Sequence, residues 1–416
     1  MIVANGIPSG LDGARLTEPR PARLRILYHH RTQGRGAEGN HIVSIVSALR
    51  ALGHHVDVLS PPGVDPFDVA GTIPVDKAAT ATQGWSSVWK LVSRRLPNWL
   101  FEIGEIAFNL PAYFRLRRAL RLTSYDLVYE RYAFYLLAGM FAAREAGCRF
   151  VLEVNELSGV PDRARHQSFP ILCGWFEKRL LPGCDMVHAV SSYLADRALA
   201  QSVEPSHLIM VPNGFNVVRI RLTRERSAMR ERLGFTDDDV VIGFAGWFDR
   251  WDRLDFLVRV FAALRQHCPR SKLCLVGDGP AAKDARLQIE KAGLTSAVMM
   301  TGAVERGEVY NHIQIFDIGI LPHSNIFGSP IVMFEIMGLG IPLVAPKLPP
   351  IIDVHPRGDT ALLFEPLNLA DCVTQLTVLV DSPCTRSEIA ARAMDRMIQN
   401  HSWEETARRI LAGIPD

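Results

Sequence analysis

The chain has 416 residues, and at ~100–200 residues per domain that length implies two or three domains. Its composition, 48% apolar and 22% charged with 31 glycines and 26 prolines, excludes a disordered, collagen-like or disulfide-scaffold chain. With 46 basic against 44 acidic residues the net charge is +2, so no wholesale attraction to nucleic acid is expected and any basic site must be local. Arginine dominates the basic residues, which base composition of a genome explains more simply than anion binding. The seven cysteines are odd in number and form no C-x-x-C pair, as expected of free thiols in a reducing cytoplasm. No apolar run approaches the ~18 residues that span a bilayer; the longest, Tyr132 to Ala143, is closed by Arg131 and Arg144. Residues 1–22 lack the apolar core of a signal peptide and read as a loose leader.

Regular pattern begins at Arg23. Leu24 to Tyr28 is an apolar strand, followed by the glycine-rich loop Gln33 to Gly39 and a helix from His41 whose Ile42, Ile45, Val46 and Leu49 share a face. Gly53 ends it, and Val56 to Leu59 is the next strand, so this stretch is a βαβ unit on a parallel sheet. Residues 85–122 interrupt the rhythm, mixing Trp85, Trp89, Trp99, Phe101, Phe108, Tyr113 and Phe114 with Arg94, Arg95, Arg115, Arg117, Arg118 and Arg121. They form either an amphipathic surface for anionic lipid or an excursion whose aromatics pack on their own domain.

The unit then recurs. Asp126 to Tyr129 is a strand with a helix in the apolar stretch after Tyr132; Phe150 to Val154 and Met186 to Val190 are strands, and Ser191 or Ser192 caps the helix that follows. Leu208 to Val211 runs into the turn Pro212-Asn213-Gly214. A second series opens at Val240. Val241 to Gly246 is a strand, Leu254 to Leu264 a helix, and strands recur at 273–276, 298–300, 318–321 and 342–345. The reading is an α/β chain with two doubly wound Rossmann-like domains joined near 212–225. The expected divisions are 23–215, 216–395 and a helix in 396–416 packing back toward the first domain. Ligands of such sheets bind off the carboxyl ends of the strands, and two facing sheets leave a cleft between them.

The densest chemical signal is Ser329-Pro330-Ile331-Val332-Met333-Phe334-Glu335, which sets a carboxylate near the start of a helix among apolar residues. A carboxylate there is expensive to bury without partners, and the paired hydroxyls of a ribose would supply them; the alternative is a glutamate favoured by the helix dipole.

Together with the loop Gly34 to Gly39, Ala189-Val190-Ser191, Val211 to Gly214, Val276 to Pro280, Thr301-Gly302 and Asp317 to Pro322, this segment resembles family 4 of the retaining glycosyltransferases, over residues 24–410. The resemblance implies the GT-B fold and a metal-independent transfer from a nucleotide diphospho-sugar donor to a hydroxyl acceptor, a lipid-linked one included. It implies work in polysaccharide, glycolipid or natural-product glycoside synthesis. The residues themselves add the expectations of a cytoplasmic protein from the free thiols, no nucleic-acid partner from the small net charge, and, on the lipid reading of 85–122, peripheral contact at the inner face of the membrane. By the same resemblance Glu335 binds the ribose. Backbone around Gly328, Ser329, Pro330 and Ile331 faces the diphosphate, Gly34, Arg35 and Gly36 approach it from the other domain, and Gly246, Gly277 and the Thr301–Val304 segment flank the donor.

The chain departs from the family pattern at informative places. Phe327 stands eight positions ahead of Glu335, where the family places a glutamate against the transferred sugar, and Val332 stands where a subgroup has lysine. The basic pair that neutralises the departing diphosphate aligns with Trp247 or Asp249 and with Asp252, leaving Arg250 and Arg253 one residue away. Carboxylates there would repel a diphosphate unless a register shift brings Arg250 and Arg253 in. On the acceptor side the family histidine aligns with Asn155 and Glu156; Glu156 could orient or deprotonate a hydroxyl and Asn155 could hydrogen-bond it. Glu130 and Arg131 point to the cleft or form a loop ion pair, and His29 and His30 end the first strand as ligand contacts or caps. The competing expectations are an inactive homologue serving as a binding subunit and a nicotinamide dehydrogenase. The latter has Gly34, Gly36 and Gly39 at G-x-G-x-x-G spacing but no place for the second-half motifs.

Overall fold

The computed structural model describes residues 23–33, 36–67, 97–161, 167–216, 226–305 and 307–415. Residues 1–22, Gly34, Arg35 and 68–96, with Trp85, Trp89, Arg94 and Arg95 among them, therefore lie outside the described residues. Two parallel six-stranded sheets make the molecule. The first comprises β1 (Arg25–His29), β2 (His55–Leu59), β3 (Leu127–Arg131), β4 (Arg149–Val154), β5 (Met186–Ala189) and β6 (Leu208–Met210), in the order β2-β1-β3-β4-β5-β6. The second comprises β7 (Val240–Trp247), β8 (Ser271–Asp278), β9 (Val298–Met300), β10 (Ile318–Ile320), β11 (Leu343–Pro346) and β12 (Leu362–Phe364), in the order β12-β11-β10-β7-β8-β9. All pairings are parallel, and β1, β3, β4 and β5 are buried nearly end to end, the apolar runs of strands covered on both faces.

Local structure differs from expectation where a distant side chain intervenes. The stretch after Tyr132 is not helical at once. The helix Ala138–Ala146 starts six residues later, because Asn109 Oδ1 accepts the N–H groups of Leu137 (2.8 Å) and Ala138 (3.2 Å) and its amide donates to the Tyr135 carbonyl. An N-cap supplied from another helix leaves no local signal. Of the two serines, Ser191 is the cap, accepting from Leu194 N–H at 3.3 Å. Residues 98–122 form two helices, Asn98–Ala107 and Asn109–Leu122. Among the described residues no helix is long and apolar enough to cross a membrane.

The helix Pro383–Asn400 runs through the expected boundary at 395 and belongs to the second lobe. The chain then crosses back. Phe215 and Trp403 exchange backbone bonds around a bridge to Ser402 (Phe215 N–H to His401 carbonyl 2.9 Å, Trp403 N–H to Phe215 carbonyl 3.1 Å). Trp403, Ala407 and Ile410 of the helix Trp403–Ala412 pack into one apolar cluster with Ile26, Tyr28, Ile42 and Val46 of the first lobe. Gly214 and Gly338 are required by this crossing. A Cβ on the first would press the His401 carbonyl, and one on the second would collide with the Phe215 ring.

Candidate active site

The carboxyl ends of the two sheets meet across a seam held by side chains from the motifs singled out above. Ser191 Oγ donates to the Phe327 carbonyl (2.6 Å), Ser192 N–H donates to Asp353 (2.8 Å), and Asn213 gives its backbone N–H to Ser329 Oγ (3.1 Å) and its amide to the Ser329 carbonyl (2.7 Å). Ser191, Asn213 and Ser329 are buried. Phe327 does more than touch: its ring joins the apolar cluster of the first lobe, with Val190, Leu194 and Leu157 among the members.

Glu335 lies in this seam. The helix Ile331–Gly338 follows the Ser-Pro turn, with Pro330 extended at its N-cap. Ile331 packs on the first lobe's cluster and Glu335, one turn on, shares its face. The Glu335 carboxylate is half-buried and accepts the Tyr310 hydroxyl at 3.1 Å, a bond that orients the side chain. Of the four backbone positions expected to face a diphosphate, Gly328 is corrected: its N–H, with that of Phe327, goes to Asn325 Oδ1 (2.5 and 3.2 Å). Pro330 has no N–H, which leaves Ser329 and Ile331 at a helix start, where N–H groups lack intrahelical acceptors.

Gly246 and Gly277 pair across β7 and β8, and Gly277 sits at φ +129°, where a Cβ would collide with the Gly246 carbonyl. Thr301 Oγ1 receives the Gly277 N–H (3.2 Å) and donates to the Gly302 carbonyl (2.9 Å), fastening β8 to the segment after β9. The two strand ends thus form a glycine floor that backbone alone covers.

The loop after β7 settles where its charges lie. Asp249 and Asp252 make a reciprocal cap of the short 3₁₀ turn Arg250–Asp252, with Asp249 N–H on Asp252 Oδ2 at 2.9 Å. Arg253 takes the left-handed conformation (φ +50°) and its guanidinium grips Asp255 with two bonds of 2.8 Å. This half-exposed pair, worth about 1 kcal/mol or less, is what a diphosphate would have to displace to engage Arg253 as the register shift expects. Arg250 is exposed on the turn, and Trp247 is exposed at the end of β7. His323 Nδ1 meets the Trp251 carbonyl at 3.1 Å, so this loop lies beside the one that leads to Phe327, as the pairing of β7 with β10 requires. Burial pushes the Asp252 carboxyl up to about 7, with Asp249 adding to the rise against the backbone bond that lowers it.

On the first lobe the strand ends carry a buried polar network. Glu153 is fully buried and meets His41 Nε2 (2.7 Å), Arg131 (2.8 Å) and the Asn155 amide. Burial opposes its charge most strongly, yet His41, Arg131 and His188 outweigh it and hold the carboxyl well below the usual range. One Asn155 amide N–H is thus spent on Glu153, so only its second N–H can serve the expected acceptor contact. Glu156, next along, is half-buried near Arg131 and Tyr132. His29 Nδ1 pairs with Glu130 at 2.5 Å, both buried, and Glu130 lies against Gly139 at the start of the helix Ala138–Ala146. Burial, then His29 and Arg131, push His30 down to about 4, so it brings no charge to a phosphate at neutral pH. Gly36 opens the helix Gly36–Ala51 at φ +62°, exposed. His188 Nε2 donates to the Val211 carbonyl (2.8 Å), which leaves Nδ1 to accept the Tyr129 hydroxyl (2.9 Å).

Sequence reasoning missed Tyr310, Asn325, His41 and the Asn213–Ser329 clamp. Only the last had a signal, since both residues lie in motifs already singled out.

Comparison with known proteins fits this geometry. Residues 38–219 match the family model Glycosyltransferase Family 4, and residues 225–396 match Glycosyl transferases group 1. A D-inositol 3-phosphate glycosyltransferase of Actinosynnema mirum is 26% identical over 302 residues, 69% of this chain and 72% of that one. A protein of the same name from Stackebrandtia nassauensis is 28% identical over 225 residues, 51% of this chain and about half (49%) of that one. Among solved structures, Anabaena Alr3699/HepE in complex with UDP superposes with a TM-score of 0.68 at 17% identity, over 94% of this chain and 99% of that one.

Proposed function

The chain belongs to glycosyltransferase family 4, built as a GT-B pair of lobes, and on that premise we propose that it moves a sugar from a nucleotide diphospho-sugar to an acceptor hydroxyl with retention of configuration and without a metal ion. The observation that carries this reading is Glu335, a half-buried carboxylate in the seam, oriented by Tyr310 and following a turn clamped to the other lobe. A carboxylate accepts two hydroxyls at once, which suits a ribose diol, while the helix start one turn earlier suits its diphosphate. On the same face a departing diphosphate would take the acceptor proton, so no pair of catalytic carboxylates is needed. Glu156 is the side chain left to orient the acceptor. Closure of the lobes would exclude water from the transfer.

Donor handling differs from the family pattern. Asp252 stands where a cation would neutralise the leaving group, and a carboxyl titrating near 7 is partly protonated at neutral pH. In that form it donates a hydrogen bond to a phosphate oxygen rather than repelling it; Arg250 is the cation left near the turn.

A second reading, a weak or inactive homologue acting as a binding subunit, is favoured by Phe327, whose ring fills space in the first lobe's cluster beside the expected sugar position. Thermal shift against UDP-, GDP- and dTDP-sugars tests the main reading, with Glu335→Gln as control. Stabilisation by one nucleotide, reduced about tenfold in apparent affinity by the substitution, is the expected result. Silence across the panel sinks it, and binding without turnover selects the second reading.

A further inference from the structure

The helix Asn98–Ala107 is inside out. Its buried residue is Glu102, while Trp99, Leu100, Phe101 and Ile103 face outward. The inversion has a cause: the Glu102 carboxylate accepts the N–H groups of Ser168 (2.6 Å) and Phe169 (3.0 Å) and the Tyr135 hydroxyl (2.6 Å). Ser168 and Phe169 lead into the helix Pro170–Leu180, so one carboxylate pins the first helix to the start of the second.

That second helix is exposed in the same manner. Ile171 is 90% and Trp175 57% exposed, and Lys178 and Arg179 continue the same helical face. Asn109–Leu122 repeats the sequence of types, with Leu110 (65% exposed) and Phe114 (54%) followed on one face by Arg118 and Arg121. Each of these two helices thus presents apolar side chains and then cations. The acidic residues of the three helices are all engaged: Glu102 as above, Glu105 with Arg31 (2.9 Å), and Glu177 with Tyr132, Ser158 and Gln201.

Arg121 shares Glu145 with Arg117, whereas Arg118, Lys178 and Arg179 meet no carboxylate among the described residues; exposed aromatics beside such cations mark a contact surface, because single exposed apolar residues are ordinary and a cluster is not. We propose that this face rests on an anionic lipid bilayer, with Trp99, Ile103, Leu110, Phe114, Ile171 and Trp175 at headgroup depth and Arg118, Lys178 and Arg179 on lipid phosphates. A second copy is a poorer occupant, since a self-complementary pairing would set cations against cations. Ser158 donates its N–H (2.5 Å) and hydroxyl (2.6 Å) to the Glu177 carboxylate, tying this face to the loop holding Asn155 and Glu156, so bound lipid would lie beside the acceptor side. The inference does not depend on the donor reading.

Flotation of the full chain with vesicles tests it. The protein is expected to float with phosphatidylglycerol-containing vesicles, to stay down with pure phosphatidylcholine, and to be released by high salt. Trp175→Ser with Ile171→Ser, and separately Lys178→Glu with Arg179→Glu, should each weaken binding at least about tenfold at unchanged Tm and unchanged nucleotide affinity. No flotation, equal flotation with neutral vesicles, or variants that float like the parent overturns the proposal. So does a concentration-dependent dimer in light scattering that Trp175→Ser dissolves.

Discussion

Replacing Asp252 by asparagine removes one ionisation while keeping an oxygen to accept the Asp249 N–H. In the unfolded chain the carboxyl titrates near 3.8; in the fold, burial moves it to about 7. Between those values the unfolded chain has released its proton and the folded one retains it, so stability falls as pH rises through the window and is flat above it. At about 1.4 kcal/mol per pKa unit the full difference is roughly 4 kcal/mol; the side chain keeps some contact with water, so about 2 kcal/mol is the expected effect. Asp252→Asn should therefore be about 2 kcal/mol more stable than the parent at pH 8 and nearly equal to it at pH 4. Urea melts at the two pH values, read by tryptophan fluorescence, measure this; Trp251 adjoins the site. Donor affinity supplies an independent axis. In the parent it should decline as pH passes 7 and Asp252 ionises, whereas in the variant that slope should be absent. A variant less stable at pH 8, or a gap that does not change with pH, refutes the burial argument. A parent whose donor affinity is indifferent to pH shows that Asp252 does not face the diphosphate.

Glu153→Gln leaves His41 and Arg131 facing a neutral group in a buried site and should cost about 3–5 kcal/mol at pH 7. Because the Glu153 carboxyl titrates below its unfolded value of 4.5, the parent's advantage should shrink as pH falls beneath that value; a constant gap in melts from pH 5 to 3 counts against it. Asn213→Ala strips the buried Ser329 carbonyl of its partner and should cost about 1–3 kcal/mol. It should also weaken nucleotide binding several-fold by loosening the turn before Ile331. Calorimetry giving parental affinity and Tm would show the clamp to be dispensable.

The two sheets were legible because strands buried on both faces leave continuous apolar runs, and the strands up to β11 occur where such runs were read; the three-residue edge strand β12 (Leu362–Phe364) was too short to show one. Glu335 was legible for a related reason: a carboxylate in an apolar helical stretch violates the local pattern. What stayed hidden were contacts between residues far apart in the chain. His41 reaches Glu153 across more than a hundred residues, and Asn155 gives an amide N–H to the same carboxylate. The Arg253 pair with Asp255 stayed hidden although it is local, because spacing alone does not say which of several nearby carboxylates a guanidinium takes. The helix at 98–107 shows the limit of periodicity most plainly. The mixture of aromatics and arginines reads there as a lipid-facing surface or a packed excursion, with no helix assigned, and which face turns inward was decided by Glu102 and two N–H groups near residue 168.

The crossing at Phe215 and Ser402 has a bearing on how the protein comes into being. Ile26, Tyr28, Ile42 and Val46 leave the ribosome early, yet Trp403, Ala407 and Ile410, which cover them, are synthesised some 350 residues later. At ~5–20 residues per second that is an interval of roughly 20 to 70 s, during which a hydrophobic face waits open. The first lobe is finished only after the second has been made, so chaperone occupancy during translation should be high. A stop codon shortly before position 403 would cripple the half of the molecule farthest from it in the gene.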